Sequence, residues 1–150
     1  IEKYTACILR SFKEKEEMWT PTNSLKQHKI PSNLRAKMVD WMVEVLTSYK
    51  CSEQTFFIAL NVMDLFFERT PVSHDVSDLH LVGVTSMFIA SKYEEIYPLR
   101  LSVVHEKIAH RKLSAEAIKK KEMEILDVLK YKITGVTPYD FMMIALFQMG

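Results

Sequence analysis

Residues 79–92 read LHLVGVTSMFIASK, and from Leu79 to Ser91 thirteen consecutive positions carry no Asp, Glu, Lys or Arg. That length falls well short of the roughly 20 apolar residues a helix needs to cross a bilayer. Leu81, Val82, Val84, Met87, Phe88 and Ile89 cover several helical faces, so the pattern predicts a helix over 77–95 that is buried on all sides. Gly83, without a Cβ, would admit a neighbouring helix closely. Working outward toward the N-terminus, Ser52 caps a helix over 53–69. In it Phe56, Leu60, Met63 and Phe67 form one stripe, while Phe57, Ile58, Val62 and Phe66 cover other faces, so this helix is also central. Before it, Leu34, Met38, Trp41, Met42 and Val45 recur at helical spacing from an N-cap at Ser32 or Asn33 to about Ser48. Residues 1–18 place Tyr4, Ile8 and Phe12 on one face among Glu and Lys, the pattern of an amphipathic helix lying on a larger surface.

Toward the C-terminus a short helix is predicted over 101–110. A longer one, capped by Ser114, runs through Ile118, Ile125, Leu126 and Leu129 until Gly135 stops it. Pro138 opens a further apolar segment, 139–149. The five prolines, at 21, 31, 71, 98 and 138, all fall between these segments, where a missing N–H does no harm. No period-two alternation bounded by turn residues occurs, so the fold class is all-α. The chain divides into an N-terminal flanking helix and loop (1–32), a helical core (33–135) and a linker with the start of a truncated second helical region (136–150).

At 150 residues, 48% hydrophobic and 26% charged, the chain has the composition of one compact domain with a sizeable core. Twenty basic against nineteen acidic side chains leave a charge of +1, which offers no global field for nucleic acid or anionic lipid, and neither is expected as a partner. Cys7 and Cys51 stand 44 positions apart with no CxxC, so neither a disulfide framework nor a zinc knuckle is expected, and a reducing compartment is. The sequence opens at Ile1 without a charged-then-apolar leader, and it reads as a fragment.

Glycine occurs only at 83, 135 and 150, so no glycine-rich phosphate loop can be written. The histidines at 28, 74, 80, 105 and 110 lack metal-binding spacing. His105 and His110 are five apart where a helical face needs four, and no Glu stands three before any His. They read as solvated surface residues, and no cofactor or metal is expected. From His105 to Lys121, six Lys or Arg against two Glu make a local +4 without interleaved aromatics, the pattern of a solvated face.

Four charges fall on apolar faces. Asp64 is the only charge between Gln54 and Phe67; Lys92 follows Phe88 and Ile89 by four and three; Glu122 lies on the stripe Ile118, Ile125, Leu129; and Arg35 adjoins Leu34 and Met38. A charge buried alone costs several kcal/mol, so two cations and two anions invite pairing. Arg35 and Asp64 read as an internal staple or as a functional pair. Lys92 and Glu122, near Tyr93, Tyr97 and Tyr131, read as charges presented to a partner's backbone.

These residues carry a family likeness. LRAKMVDWMVEV at 34–45, LVGVTSMFIASKYEEIYP at 81–98 and the helix of Glu122 resemble the cyclin box, most closely that of mitotic, B-type cyclins. The resemblance covers residues 1 to about 135 and implies a five-helix cyclin box preceded by an amphipathic N-terminal helix. It implies a regulatory subunit that binds and activates a cyclin-dependent serine/threonine protein kinase in cell-cycle control, does no chemistry itself, and resides in nucleus and cytoplasm. Arg35 and Asp64 would pair internally. Lys92 and Glu122 would grip the kinase backbone, with Ile89, Tyr93, Leu126, Tyr131 and Ile133 packing against it.

The family's patch for Arg-x-Leu-type docking peptides maps to Leu34, Lys37, Met38, Trp41, Glu44 and His80, with two departures: Lys37 replaces an apolar residue and His80 a glutamine. An ammonium there would repel a docking arginine, so altered or weakened docking is expected. Asp127 stands where mitotic cyclins usually carry a base, and 136–150 is expected to hold only the start of the family's second helical box. The alternative function is a cyclin-like scaffold that binds a peptide or non-kinase partner without activating a kinase. A helical hydrolase is a third class, and no homo-oligomer is expected.

Overall fold

A computed structural model of the chain describes residues 2–19, 25–133 and 138–149. The helices among them are α1 (Glu2–Trp19), α2 (Ser32–Ser48), α3 (Glu53–Arg69), α4 (Val76–Glu94), α5 (Leu101–Val103, continued by a wider turn over Val104–Ile108), α6 (Ala115–Val128) and α7 (Pro138–Met149). No strand occurs among the described residues; Lys29 and Asp75 form one isolated bridge.

Helix starts follow local chemistry. The Ser52 hydroxyl accepts the Thr55 N–H (3.3 Å) at the head of α3, and the Ser114 hydroxyl accepts the Ala117 N–H (3.0 Å) at the head of α6. At α2 the expected serine or asparagine cap is not used. Pro31, at φ −63°, leads directly into a helix whose first residue is Ser32, and no side chain caps it. Asp75 caps α4, accepting the Ser77 N–H at 2.9 Å, and the helix starts at Val76, one residue earlier than the pattern predicts.

The last turn of α5 widens, with the Ala109 N–H donating to the Val104 carbonyl (2.8 Å), and the helix ends at Ile108 rather than His110. Helix α6 stops well before Gly135. Lys130 (φ 53°) and Tyr131 (φ 59°) turn the chain left-handed, and the Tyr131 N–H returns to the Leu126 carbonyl at 2.8 Å. The proline loop at 20–24 and the linker at 134–137 lie outside the described residues.

Helix α4 is the axle, packed against α2, α3, α6 and α5. Around it Met42 and Leu46 of α2, Met63, Phe66 and Phe67 of α3, Val82 and Met87 of α4, and Ile118 and Ile125 of α6 are essentially inaccessible to water. Each such side chain contributes roughly 1.5–3 kcal/mol of transfer free energy. Gly83 sets the approach of α2 to α4, since a Cβ there would lie 2.0 Å from Cε of Met38. On α1 the buried stripe is rotated from the expected one. Thr5 is buried, Ile8 and Phe12 are half-buried, and Tyr4 is 73% exposed.

Segment 25–30 is fastened to the turn between α3 and α4. Gln27 donates to the carbonyls of Phe67 (3.2 Å) and Thr70 (2.8 Å), the Ser73 hydroxyl donates to the Gln27 carbonyl (2.9 Å), and Ile30 is buried in the core. Two histidines belong to this joint, so the expectation of five solvated histidines fails. His74 is 7% exposed and its ring packs against Phe66 and His28. His105 is half-buried, with Nδ1 2.6 Å from the Leu113 carbonyl. The basic run is not one solvated face either. Lys121 is 9% exposed, its ammonium bonded to Glu124 (2.7 Å) and 5.7 Å from the centre of the Phe66 ring.

Candidate partner-binding surface

Lys92 lies in the last turn of α4, where a cation complements the helix C-terminus, and Glu122 lies midway along α6. Because α4 and α6 pack together, these two side chains meet. The Lys92 ammonium donates to Oε1 of Glu122 and sits 4.3 Å from the centre of the Phe88 ring. The Lys92 side chain is 43% exposed and that of Glu122 14%, so the pair lies at the rim of the core and opens to one side. Tyr93, next to Lys92 in the chain, and Tyr131 are exposed, and Leu126 and Ile133 are half-buried. Ile89 differs from the expectation. At 3% exposed it is part of the core and supports this face without offering surface.

The loop after α4 carries Ile96 and Tyr97, both almost fully exposed. Two clamps hold it. Oε1 of Glu95 accepts the Ser52 N–H (2.6 Å) and the Thr55 hydroxyl (2.7 Å) at the head of α3, and the Leu99 N–H donates to the Ser91 hydroxyl (3.2 Å). Burial pulls the Glu95 carboxyl upward, but the bonds from Thr55 and Ser52 outweigh it and hold the group below the usual carboxylate range. Replacing Glu95 by alanine is expected to lower stability by about 1 kcal/mol in urea unfolding, the cost of a lost cap. An unchanged midpoint would show that the clamp is ornamental.

A second surface lies on α2. Arg35 donates from Nε to Oδ1 of Asp64 (2.9 Å) and from Nη2 to Oδ2, a bidentate bridge between α2 and α3. The bond to Asp64 raises the Arg35 pKa above its ordinary value, against the effect of burial. Lys37 and Glu44 are exposed, Leu34 and Trp41 are half-buried, and the Trp41 ring packs at 5.1 Å against His80. Met38, expected on this patch, is buried beneath it against Gly83. Burial first, and then the charges of Lys112 and His110, push the His80 imidazole below its ordinary pKa, so it presents a neutral ring to Trp41.

Among the described residues no group of three or more His, Cys, Asp or Glu is placed to hold a metal ion, and no helix is long and apolar enough to cross a membrane. Cys7 and Cys51 are free thiols. Sequence reasoning missed Glu95, whose partners lie 40 and 43 positions away, and the His28–His74 joint, whose rings are 46 apart in the chain. Neither spacing leaves a local signal.

Helices sheathing a central helix, with an ion pair where α4 meets α6, define a helical box. A family model described as cyclin, N-terminal domain, matches residues 7–134, and the chain belongs to the cyclin family. It is 33% identical over 141 residues to G2/mitotic-specific cyclin-B1 of Oryzias javanicus, covering 93% of this chain and 34% of that relative. It is 41% identical over 104 residues to G2/mitotic-specific cyclin-A of Patella vulgata, covering 68% of this chain and 24% of that one. The fold matches that of a viral cyclin from herpesvirus saimiri with a TM-score of 0.79 at 19% identity, over 91% of this chain and 59% of that one. The chain thus spans about a third of the length of the first of these relatives.

Proposed function

We propose that this chain is the box of a regulatory subunit that binds a cyclin-dependent protein kinase and favours its active arrangement in cell-cycle control. One observation supports this above others: Lys92 and Glu122 meet where α4 packs on α6, and Tyr93, next to Lys92 in the chain, and Tyr131 are exposed. A lysine offers donors and a carboxylate acceptors, so the pair suits the free backbone groups of a partner element, while the aromatics supply apolar contact. Leu126 and Ile133 extend that contact, over the support of Ile89.

The chain acts without chemistry of its own. Binding one of two kinase arrangements more tightly shifts the population toward it, and in kinases that arrangement closes a Lys–Glu ion pair that positions the nucleotide phosphates. The subunit works in nucleus and cytoplasm, and the patch of Leu34, Lys37, Trp41, Glu44 and His80 receives substrate segments with a preference altered by Lys37.

Calorimetric titration into a purified monomeric cyclin-dependent kinase, with peptide phosphorylation assayed on the same samples, tests the proposal. Lys92→Ala and Glu122→Ala should each weaken binding about tenfold or more and reduce activation in step. Binding without activation favours the scaffold alternative. Full activation by both variants overturns the assignment of the pair.

A further inference from the structure

The basic run between α5 and α6 holds a hydroxyl at a telling distance from a guanidinium. Arginines stand at 10, 35, 69, 100 and 111, and only Arg111 has a serine or threonine three residues on, in Arg111-Lys112-Leu113-Ser114. That spacing suits a serine kinase whose substrate groove takes an upstream arginine on carboxylates, because a guanidinium forks onto them in two parallel bonds.

The surroundings leave this segment usable. Residues 109–114 form no helix, and His110, Arg111, Lys112 and Ser114 are exposed. Ser114 itself is extended, at φ −70° and ψ 153°. Two backbone bonds close the turn, from the Arg111 N–H to the His105 carbonyl and from the Lys112 N–H to the Ala109 carbonyl, both 2.9 Å, and Nδ1 of His105 lies 2.6 Å from the Leu113 carbonyl. His110 (φ 49°) and Arg111 (φ 60°) hold the left-handed conformation that a Cβ disfavours, so straightening them into a groove relieves strain at both. The other hydroxyls close to an arginine are placed differently. Ser11 and Ser102 lie within helices α1 and α5, and Thr70 is buried.

We infer that Ser114 is a phosphorylation site for an arginine-directed serine kinase. Oγ of Ser114 bonds to the γ-phosphorus of ATP while the bond from that phosphorus to the β–γ bridging oxygen breaks; ADP leaves, and the hydroxyl proton passes to the carboxylate base of the acting kinase. The monoester carries about −1.5 to −2 charge at pH 7, which brings the local +4 of residues 105–121 down to about +2. Helix α6 accommodates it. Oγ of Ser114 accepts the Ala117 N–H at 3.0 Å, and a phosphate there meets the amide donors of the first turn and the positive end of the helix, opposed within that turn by the carboxylate of Glu116. Glu122 lies eight residues further on, about 12 Å along the helix and beyond the ~8 Å over which charge acts at physiological ionic strength. The modification therefore changes the charge of the turn and leaves the Lys92–Glu122 pair as it is, and it does not rest on the function proposed above.

Incubating the intact chain with the catalytic subunit of an arginine-directed serine kinase and magnesium ATP, and mapping the phosphate by fragment-ion mass spectrometry, tests the inference. A single phosphate is expected on Ser114 and none in Ser114→Ala, and Arg111→Ala should lower the initial rate at least about tenfold. A peptide of residues 108–117 reports the rate of the sequence freed from the turn, and the folded chain should be modified within about tenfold of it. Modification of the peptide but not of the chain overturns the inference, because the turn then stays shut. A rate indifferent to Arg111→Ala, a phosphate mainly on another hydroxyl, or no incorporation in chain or peptide also overturns it. In the phosphorylated chain the Ala117 amide should keep its hydrogen-exchange protection, and a loss of about tenfold or more overturns the accommodation by α6.

Discussion

Arg35→Ala is expected to destabilise the chain by about 3 kcal/mol in urea unfolding, more than Asp64→Ala. The asymmetry comes from burial. The Asp64 side chain is 9% exposed and that of Arg35 31%, so without the bridge a guanidinium can turn toward water while the carboxylate stays inside. Removing the arginine also deletes the aliphatic stem that covers this part of α2. Replacing both partners by apolar residues, Arg35→Met with Asp64→Leu, should recover most of the loss, because the cost lies in keeping a buried carboxylate without its guanidinium more than in lacking the bridge. If the double variant is as unstable as Arg35→Ala, the bridge itself holds α2 on α3 and this account of the energetics is wrong. The pair thus fastens to α3 the helix that carries Trp41 and Lys37.

The second large effect concerns Gly83. Gly83→Leu should cost about 2 kcal/mol net, even though a leucine is about 1 kcal/mol better than glycine inside a helix. Its Cβ alone would lie 2.0 Å from Cε and 3.3 Å from Sδ and Cγ of Met38, so α2 must move away from α4 or Met38 must leave its place. Met38→Ala in the same chain should restore part of the loss, and the two substitutions should be strongly non-additive in a double-mutant cycle. Additive costs would mean that the strain is relieved elsewhere and that the close approach of α2 and α4 is not set at this glycine.

The helices were legible because their signals are local. The charge-free stretch from Leu79 to Ser91, the serines at 52 and 114, and the heavily apolar segment 53–69 each announce a buried or capped element within a few residues. What escaped was set by contacts distant in sequence or by backbone conformation. Nothing in the run Lys119-Lys120-Lys121 says that the third lysine faces inward, because that depends on where Phe66 of α3 lies. Gly135 looked like the natural stop for α6, yet Lys130 and Tyr131 take the left-handed conformation themselves and end it sooner. The site was legible in part. Helical phase alone places Lys92 and Glu122 against apolar faces, but that they bond to each other depends on the packing of α4 on α6. Ile89 misled for the same reason, since a residue three before Lys92 can lie under the surface as easily as on it.

The bond between Lys92 and Glu122 also bears on how an association at this edge would be measured. A partner that recruits both side chains must exchange an existing ion pair for new bonds, so the enthalpy observed is a difference between two polar networks and will be small for the number of contacts made. The gain lies in order. Two long side chains already restrained against each other and the Phe88 ring surrender less rotamer freedom on docking than two that wave in solvent. Added salt acts twice, loosening the internal pair and screening its successor, so the affinity of this edge should depend less steeply on ionic strength than its charges would indicate.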